Sequence, residues 1–340
     1  MNFGGRDLGS ELGIAALSLV FAVLTYRLVE MPVRNWRRRL TRAGMVAIIG
    51  PATCIVVASV GYVWALQVAP RWLPSIEGLA APELAARDDP PTIHHGVLLG
   101  DSHASVVHAA FKEYAARAGA SLTLIARAGC PPLLQIAVND HRGQPVPYCP
   151  SFFQNIALSG NEFVILMARW NYYFGLPPSD PFFQSVVLAD IGERGTPTDP
   201  YELLASGLAA VFAASERAGV RRVLVVGPLP EFPVDPPYCL LRALRVGGDG
   251  CRLDRAAVDA RRARTIDTMR QVMAGRKDAR LIDPIGLFCT ASDCRPHEGR
   301  TVYFSDSNHL SPAGEERLLE AYKSDFLWAL TGDNDQMTLR

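Results

Sequence analysis

Two short runs hold residues whose types and spacing could do chemistry. The first is Gly100-Asp101-Ser102-His103, at the end of the apolar run Val97-Leu98-Leu99. The second is Asp306-Ser307-Asn308-His309, just ahead of Ser311-Pro312. A serine hydroxyl is a weak nucleophile until a base takes its proton, and a histidine oriented by a carboxylate is the best such base. Asp306 and His309 stand three residues apart, so one turn of backbone can present both side chains to one cleft. Asp306 would accept from Nδ1 of His309, and Nε2 would face Ser102. The blander reading of the first run is a helix cap, a place that Asp and Ser fill widely. Both runs together favour nucleophilic chemistry. His103 reads as a support residue, His108 as structural, and His94 and His95 as solvated; His141 and His297 carry no assignment.

Elements that would position these residues alternate along the chain. Apolar runs at 96–100, 121–126, 162–168, 221–227 and 279–283 read as strands. Longer amphipathic runs at 104–119, 199–219, 254–275 and 311–330 read as helices. Asp199 with Pro200, and Ser311 with Pro312, are cap and first-turn signals. Continuous apolar strands separated by helices imply a mainly parallel five-stranded sheet in a three-layer α/β/α domain. Ligands in such sheets sit at the carboxyl ends of the strands, where Asp101 and Ser102 fall.

Ahead of this domain the chain is more apolar. Residues 12–29 are nearly uncharged and residues 43–66 carry no charge at all. A bilayer-spanning helix needs about 20 apolar residues, so both segments are expected to be transmembrane. Between them lie Arg34, Arg37, Arg38, Arg39 and Arg42, an arginine-rich loop that stays cytoplasmic and sends both termini to the outer face. A cleaved signal peptide fits poorly, because the first segment lacks a basic start. The expected division is residues 1–42 as a terminal membrane helix with its basic loop, 43–66 as a second membrane helix, 67–95 as a Pro- and Ala-rich linker, 96–330 as the α/β domain and 331–340 as a tail.

Thirty-four basic and thirty-four acidic residues balance, which leaves no footprint for nucleic acid. Seven cysteines are present, six of them beyond the apolar segments. An even set in an exported domain implies disulfides, and six cysteines allow fifteen pairings. The simplest is sequential: Cys130–Cys149, Cys239–Cys251 and Cys289–Cys294. No metal site is expected, since no pair has zinc-knuckle spacing and no histidine clusters with them.

The run Leu98-Leu99-Gly100-Asp101-Ser102-His103 and the run Asp306-Ser307-Asn308-His309-Leu310-Ser311-Pro312 resemble the first and last blocks of SGNH hydrolases. They are most similar to the SGNH domain fused to membrane acyltransferase-3 proteins, which O-acetylate surface polysaccharides. "YRLVEMPVRNW" upstream resembles the end of the acyltransferase-3 membrane domain, and "AGCPPL", "YCPSF" and "ILMARWNYY" resemble this subgroup. The resemblance implies a flavodoxin-like fold with Ser102 as nucleophile, His309 as base and Asp306 as its orienter. It implies an oxyanion hole from the Ser102 N–H, from Gly129, and from a donor after the third strand. There "MARWN" replaces the family's Gly-x-Asn-Asp, and Arg169, Trp170 or Asn171 could serve.

The acyltransferase-3 domain has about ten membrane helices, of which this chain keeps what resembles the last. The expectation is a truncated reading frame, a separate partner chain for the rest, or a domain that works alone. The function implied is a membrane-anchored O-acyltransferase on the periplasmic side of the inner membrane. It would move an acetyl group, without a cofactor, from a membrane acyltransferase partner to a cell-surface glycan. A carbohydrate O-acetylesterase with the same triad is the alternative, and a non-catalytic glycan-binding module the second. Trp170, Tyr172, Tyr173 and Phe174 could line a sugar groove or fill the core.

Overall fold

The computed structural model describes residues 76–79, 91–154, 156, 158–174, 186–190, 199–248 and 251–332, and four isolated residues before them, Val23, Tyr26, Arg27 and Met31. The expected membrane segments 12–29 and 43–66 and the arginine-rich loop lie outside these stretches, as does most of the expected tail. Among the described residues no helix is long and apolar enough to cross a membrane. Residues from Ile76 onward form one compact unit.

The central sheet has five parallel strands: β1 His94–Gly100, β2 Ala120–Ala126, β3 Phe163–Met167, β4 Arg222–Val226 and β5 Ala279–Ile282. Their spatial order is β2-β1-β3-β4-β5. Successive side chains point to opposite faces of a strand. Leu98, Ile165, Met167, Leu224 and Val226 therefore share one core with α1 (Ser102–Arg117) and the C-terminal helices. Val97, Leu99, Val164, Leu166, Val223 and Val225 share the other with α3 (Pro200–Arg217) and α5 (Arg255–Met273). Two buried faces explain why the strands read as continuous apolar runs.

The expected caps are in place. Asp199 accepts from the Tyr201 N–H and Ser311 from the Gly314 N–H. The last helix differs from expectation. It is two helices, α7 Pro312–Ala321 and α8 Lys323–Thr331, broken at Tyr322. The Tyr322 hydroxyl donates to the Asp283 carbonyl at 2.5 Å, which draws the chain toward the end of β5. The buried Arg222 then holds the C-terminus of α8, its guanidinium donating to the carbonyls of Ala329 and Leu330.

Several elements have no counterpart in the sequence reading. Among them are α2 (Tyr148–Gln154), α4 (Pro236–Val246), the four-residue helix α6 (Ile285–Phe288) and an antiparallel pairing of Ile136–Asn139 with Val187–Asp190. Parts of the expected linker are built into the domain. His94 and His95 open β1, where they bond Glu162 and Ser121, and Glu77 bridges to Thr301. The three sequential disulfides Cys130–Cys149, Cys239–Cys251 and Cys289–Cys294 are all formed.

Candidate active site

Gly100 ends β1, paired in register with Met167 of β3. A Cβ there would lie 1.9 Å from the Met167 carbonyl oxygen and 2.4 Å from Ala104 Cβ, so only glycine fits. The chain then turns sharply into α1, with Asp101 as its cap and Ser102 as its first residue. The Ser102 N–H therefore has no acceptor within the helix.

Asp101 is 1% exposed and fixes this turn from two sides. Oδ1 accepts from the His103 N–H at 2.8 Å. Oδ2 accepts from the Arg169 N–H at 2.8 Å and from the Tyr173 hydroxyl at 2.6 Å. Burial raises the Asp101 carboxyl above its ordinary value, against the pull of these hydrogen bonds.

The second run arrives on a loop anchored at both ends. The Ser305 N–H donates to the His309 carbonyl, and the Phe232 N–H to the Ser307 carbonyl. Oδ1 of Asp306 accepts from the N–H groups of Asn308 (2.9 Å) and His309 (2.8 Å), an Asx turn that sets the loop's shape. Oδ2 lies 2.7 Å from Nδ1 of His309, and Nε2 of His309 lies 2.8 Å from Oγ of Ser102. Residues 207 apart in sequence thus meet in one hydrogen-bonded row. Burial by itself would raise the Asp306 carboxyl; the hydrogen bonds from His309 and Asn308 outweigh it and hold the group well below the usual carboxylate range. His309 accordingly faces an anion on one side and a hydroxyl on the other.

His103 packs behind His309, with ring centroids 4.9 Å apart. Burial, helped by the neighbouring His309, pushes His103 down to about 3. It stays neutral at ordinary pH, and its Nε2–H donates to Oδ1 of Asn308 at 3.0 Å, while the Asn308 amide donates to Ser307. The support role is therefore a specific one: His103 holds the residue before His309.

The other expected site residues separate. Gly129 sits in a turn with φ +72°, and a Cβ added there would meet no atom within 4 Å. The Arg127 N–H bonds the Gly100 carbonyl, which fastens this turn to the strand end before Ser102. After β3, Arg169 gives its main-chain N–H to Asp101 and its guanidinium to Glu231, at 2.7 Å in a buried ion pair. Trp170 is core, its indole donating to the Val226 carbonyl. Asn171 is buried, its Oδ1 accepting from Thr265 of α5. Of the four aromatic residues here, Trp170, Tyr173 and Phe174 are buried in the core and Tyr172 is half-buried.

Glu231, Tyr173 and Asn308 escaped the sequence reading as supports of the site. Glu231 carried a usable signal: an acid in the loop after β4, at the carboxyl end of the sheet. Among the described residues no group of His, Cys, Asp and Glu is arranged to hold a metal ion.

A family model described as the SGNH domain fused to AT3 domains matches residues 78–324. No curated protein matches the chain. Solved structures are similar too, two of them as follows. The periplasmic domain of the lipopolysaccharide acetyltransferase of Salmonella ser. Paratyphi A is 14% identical, with a TM-score of 0.48 over 69% of this chain and 85% of that one. A Streptococcus pneumonia protein described as a platelet activating factor is 12% identical, with a TM-score of 0.37 over 70% of this chain and 84% of that one.

Proposed function

The chain belongs to the family of SGNH domains fused to AT3 domains, and on that footing we propose that it is an O-acyltransferase that modifies a cell-surface glycan through an acyl-serine. What carries the reading is the row of contacts from Asp306 through His309 to Ser102, at 2.7 and 2.8 Å. In the first half-reaction Ser102 Oγ attacks the acyl carbonyl and its proton passes to Nε2 of His309. The Asp306 carboxylate stabilises the imidazolium. The tetrahedral intermediate collapses, His309 returns the proton to the leaving group, and the ester remains on Ser102. In the second half a glycan hydroxyl gives its proton to His309 and attacks the same carbonyl, which frees Ser102. The Ser102 N–H and the N–H of Gly129 are the proposed oxyanion donors. Each such donor is worth about a hundred- to a thousandfold in rate.

The proposed acyl group is acetyl, delivered by a membrane acyltransferase domain or partner chain. The apolar segments 12–29 and 43–66 are the proposed anchor, with the catalytic domain on the periplasmic side. Three disulfides support an oxidising compartment for this domain.

The test uses the full chain and its Ser102→Ala variant, with 4-nitrophenyl acetate as donor and a panel of oligosaccharides as acceptors. The expected result is an oligosaccharide heavier by one acetyl group, absent in the variant. Ser102-dependent acetate release with every sugar unmodified would instead make the enzyme an esterase. Folded protein that a fluorophosphonate does not label would be a binding module.

A further inference from the structure

The turn after β2 and the start of α2 carry an exposed Arg–Tyr pair on the turn that is fastened to the strand end before Ser102. The turn is fastened to the strand end by the Arg127 N–H, 3.0 Å from the Gly100 carbonyl oxygen, and closed by the Cys130 N–H on the Arg127 carbonyl. The Cys130–Cys149 disulfide then ties it to α2, one residue past Tyr148. Tyr148 is 47% exposed. The guanidinium of Arg127 lies over its ring, 4.9 Å from the centroid, and Arg127 is itself exposed. A second pair repeats the motif at the end of β3, with Arg169 over Tyr172 at 5.0 Å and the Arg169 N–H on Asp101.

Tyr148 is not part of the core on this face, whereas its chain neighbours Val146, Cys149 and Phe152 are buried in it or packed against it. An exposed tyrosine offers a flat apolar face with a polar tip. A guanidinium beside it presents a rigid fork of donors. Pyranose rings have the complementary chemistry, with a face of C–H groups and an edge of hydroxyls. The disulfide and the Arg127–Gly100 bond hold this surface at a fixed offset from Ser102, which a transfer to one particular hydroxyl demands.

We propose that Tyr148 and Arg127 form the acceptor subsite, where a pyranose of the glycan stacks on the Tyr148 ring and hydrogen-bonds the Arg127 guanidinium. The inference rests on the acyl-serine reading and assigns the second half-reaction to this surface. The sugar is held while His309 takes the proton from its hydroxyl.

The experiment has two arms, both on the full chain with Tyr148→Ala, Tyr148→Phe and Arg127→Ala. Saturation-transfer NMR reads binding of two probes, a neutral glucan hexasaccharide and a galacturonate hexasaccharide. Acyl-enzyme formed from 4-nitrophenyl acetate is then partitioned between the bound probe and water, and the transfer-to-hydrolysis ratio is read by mass spectrometry. The ratio cancels any general loss of active protein. Binding of at least one probe is expected. Tyr148→Ala should weaken it about tenfold and lower the ratio by the same factor, a size consistent with aromatic contacts. Tyr148→Phe, which keeps the ring, should remain within threefold of wild type. Wild-type protein that binds neither probe, or a Tyr148→Ala variant with wild-type binding, would overturn the proposal. Failure to form acyl-enzyme would defeat the acyl-serine reading, and the binding arm then judges the Arg–Tyr pair by itself.

Discussion

Replacing Asp306 by Asn separates the two tasks of its carboxylate. One oxygen accepts the N–H groups of Asn308 and His309 and shapes the loop; the other accepts from Nδ1 of His309. An amide keeps one oxygen, which suffices for the two loop bonds, and turns an NH2 toward Nδ1. Facing a donor, His309 must leave Nδ1 bare and carry its proton on Nε2. That nitrogen then cannot accept from Ser102. The loop survives and the base is lost. The equivalent change in a Ser-His-Asp triad lowers turnover about 10⁴-fold, or about 5 kcal/mol of barrier. Unfolding does not explain a loss of that size, since even two broken hydrogen bonds cost only about 2 kcal/mol. The assay pairs initial rates on 4-nitrophenyl acetate with the rate of fluorophosphonate labelling and a melting curve. Asp306→Ala is the companion variant. It also forfeits the loop bonds, so it should melt lower than Asp306→Asn while being no more active. A folded Asp306→Asn protein within tenfold of wild type in both rates would refute the triad.

Three further outcomes follow from buried charge. Burial raises Glu315, in the first turn of α7, to about 7 from 4.5. The folded state then holds a proton that the unfolded chain has released, so stability is full below pH 4.5 and falls as pH rises through 7, by up to about 3 kcal/mol. Glu315→Gln should flatten the change in urea midpoint between pH 5 and pH 8, and a parallel shift in both proteins would contradict this. His103, pushed down to about 3, gives the opposite slope: stability is full above pH 6.5 and is lost as pH falls toward 3. His103→Gln should therefore lose less stability than wild type between pH 7 and pH 4.5 in guanidinium titrations; an equal or larger loss would show that the imidazole does not titrate in this way. Finally, Arg169 and Glu231 form an ion pair with side chains 7% and 3% exposed, and Arg261 lies 3.5 Å from the same carboxylate. Removing one partner of a buried pair costs about 3–5 kcal/mol, so Glu231→Ala should lower the melting temperature by many degrees, and an unchanged melt would mean that the pair contributes nothing.

The five strands and the large helices were legible because each is a simple period with a chemical stop at its end. Pro200 and Pro312 with their caps mark helix starts that no tertiary contact needs to define. The break at Tyr322 was not legible. The amphipathic pattern runs straight through it, and its cause is a hydroxyl that finds the Asp283 carbonyl 39 residues away. Helix α4 was missed although Asp235-Pro236 repeats the pairing of Asp199 with Pro200; it is short, and the Cys239–Cys251 disulfide pins it. At the site, Ser102, Asp306 and His309 stood out because few side chains can do their work. Of the residues that hold them, His103 and Arg169 were singled out, and Glu231 sat in a telling place at the carboxyl end of the sheet. Tyr173 did not stand out as a support, because a tyrosine reads the same in sequence whether it only fills a core or, as here, also donates to the Asp101 carboxylate.

The sheet order itself explains why the site lies where it does. β1 is flanked by β2 on one side and β3 on the other. From the end of β1 the chain leaves over one face through α1. The connection from β2 to β3 packs Cys130, Leu133 and Phe153 into the core of the opposite face. Connections that part in this way open a crevice at the carboxyl end of the strand between them. Ser102 occupies that crevice, with the Gly129 turn on the β2 side and Arg169 on the β3 side. Asp101 closes the arrangement, since one oxygen caps α1 and the other takes the first N–H after β3. A carboxylate so shared makes the position of Ser102 depend on the register of β1 against β3, set by Gly100 opposite Met167. His309 comes from a remote loop, and its alignment on Ser102 is thus inherited from the sheet as much as from the loop. Changes at Gly100 or Asp101 should therefore disturb the 2.8 Å contact between His309 and Ser102 without touching either residue.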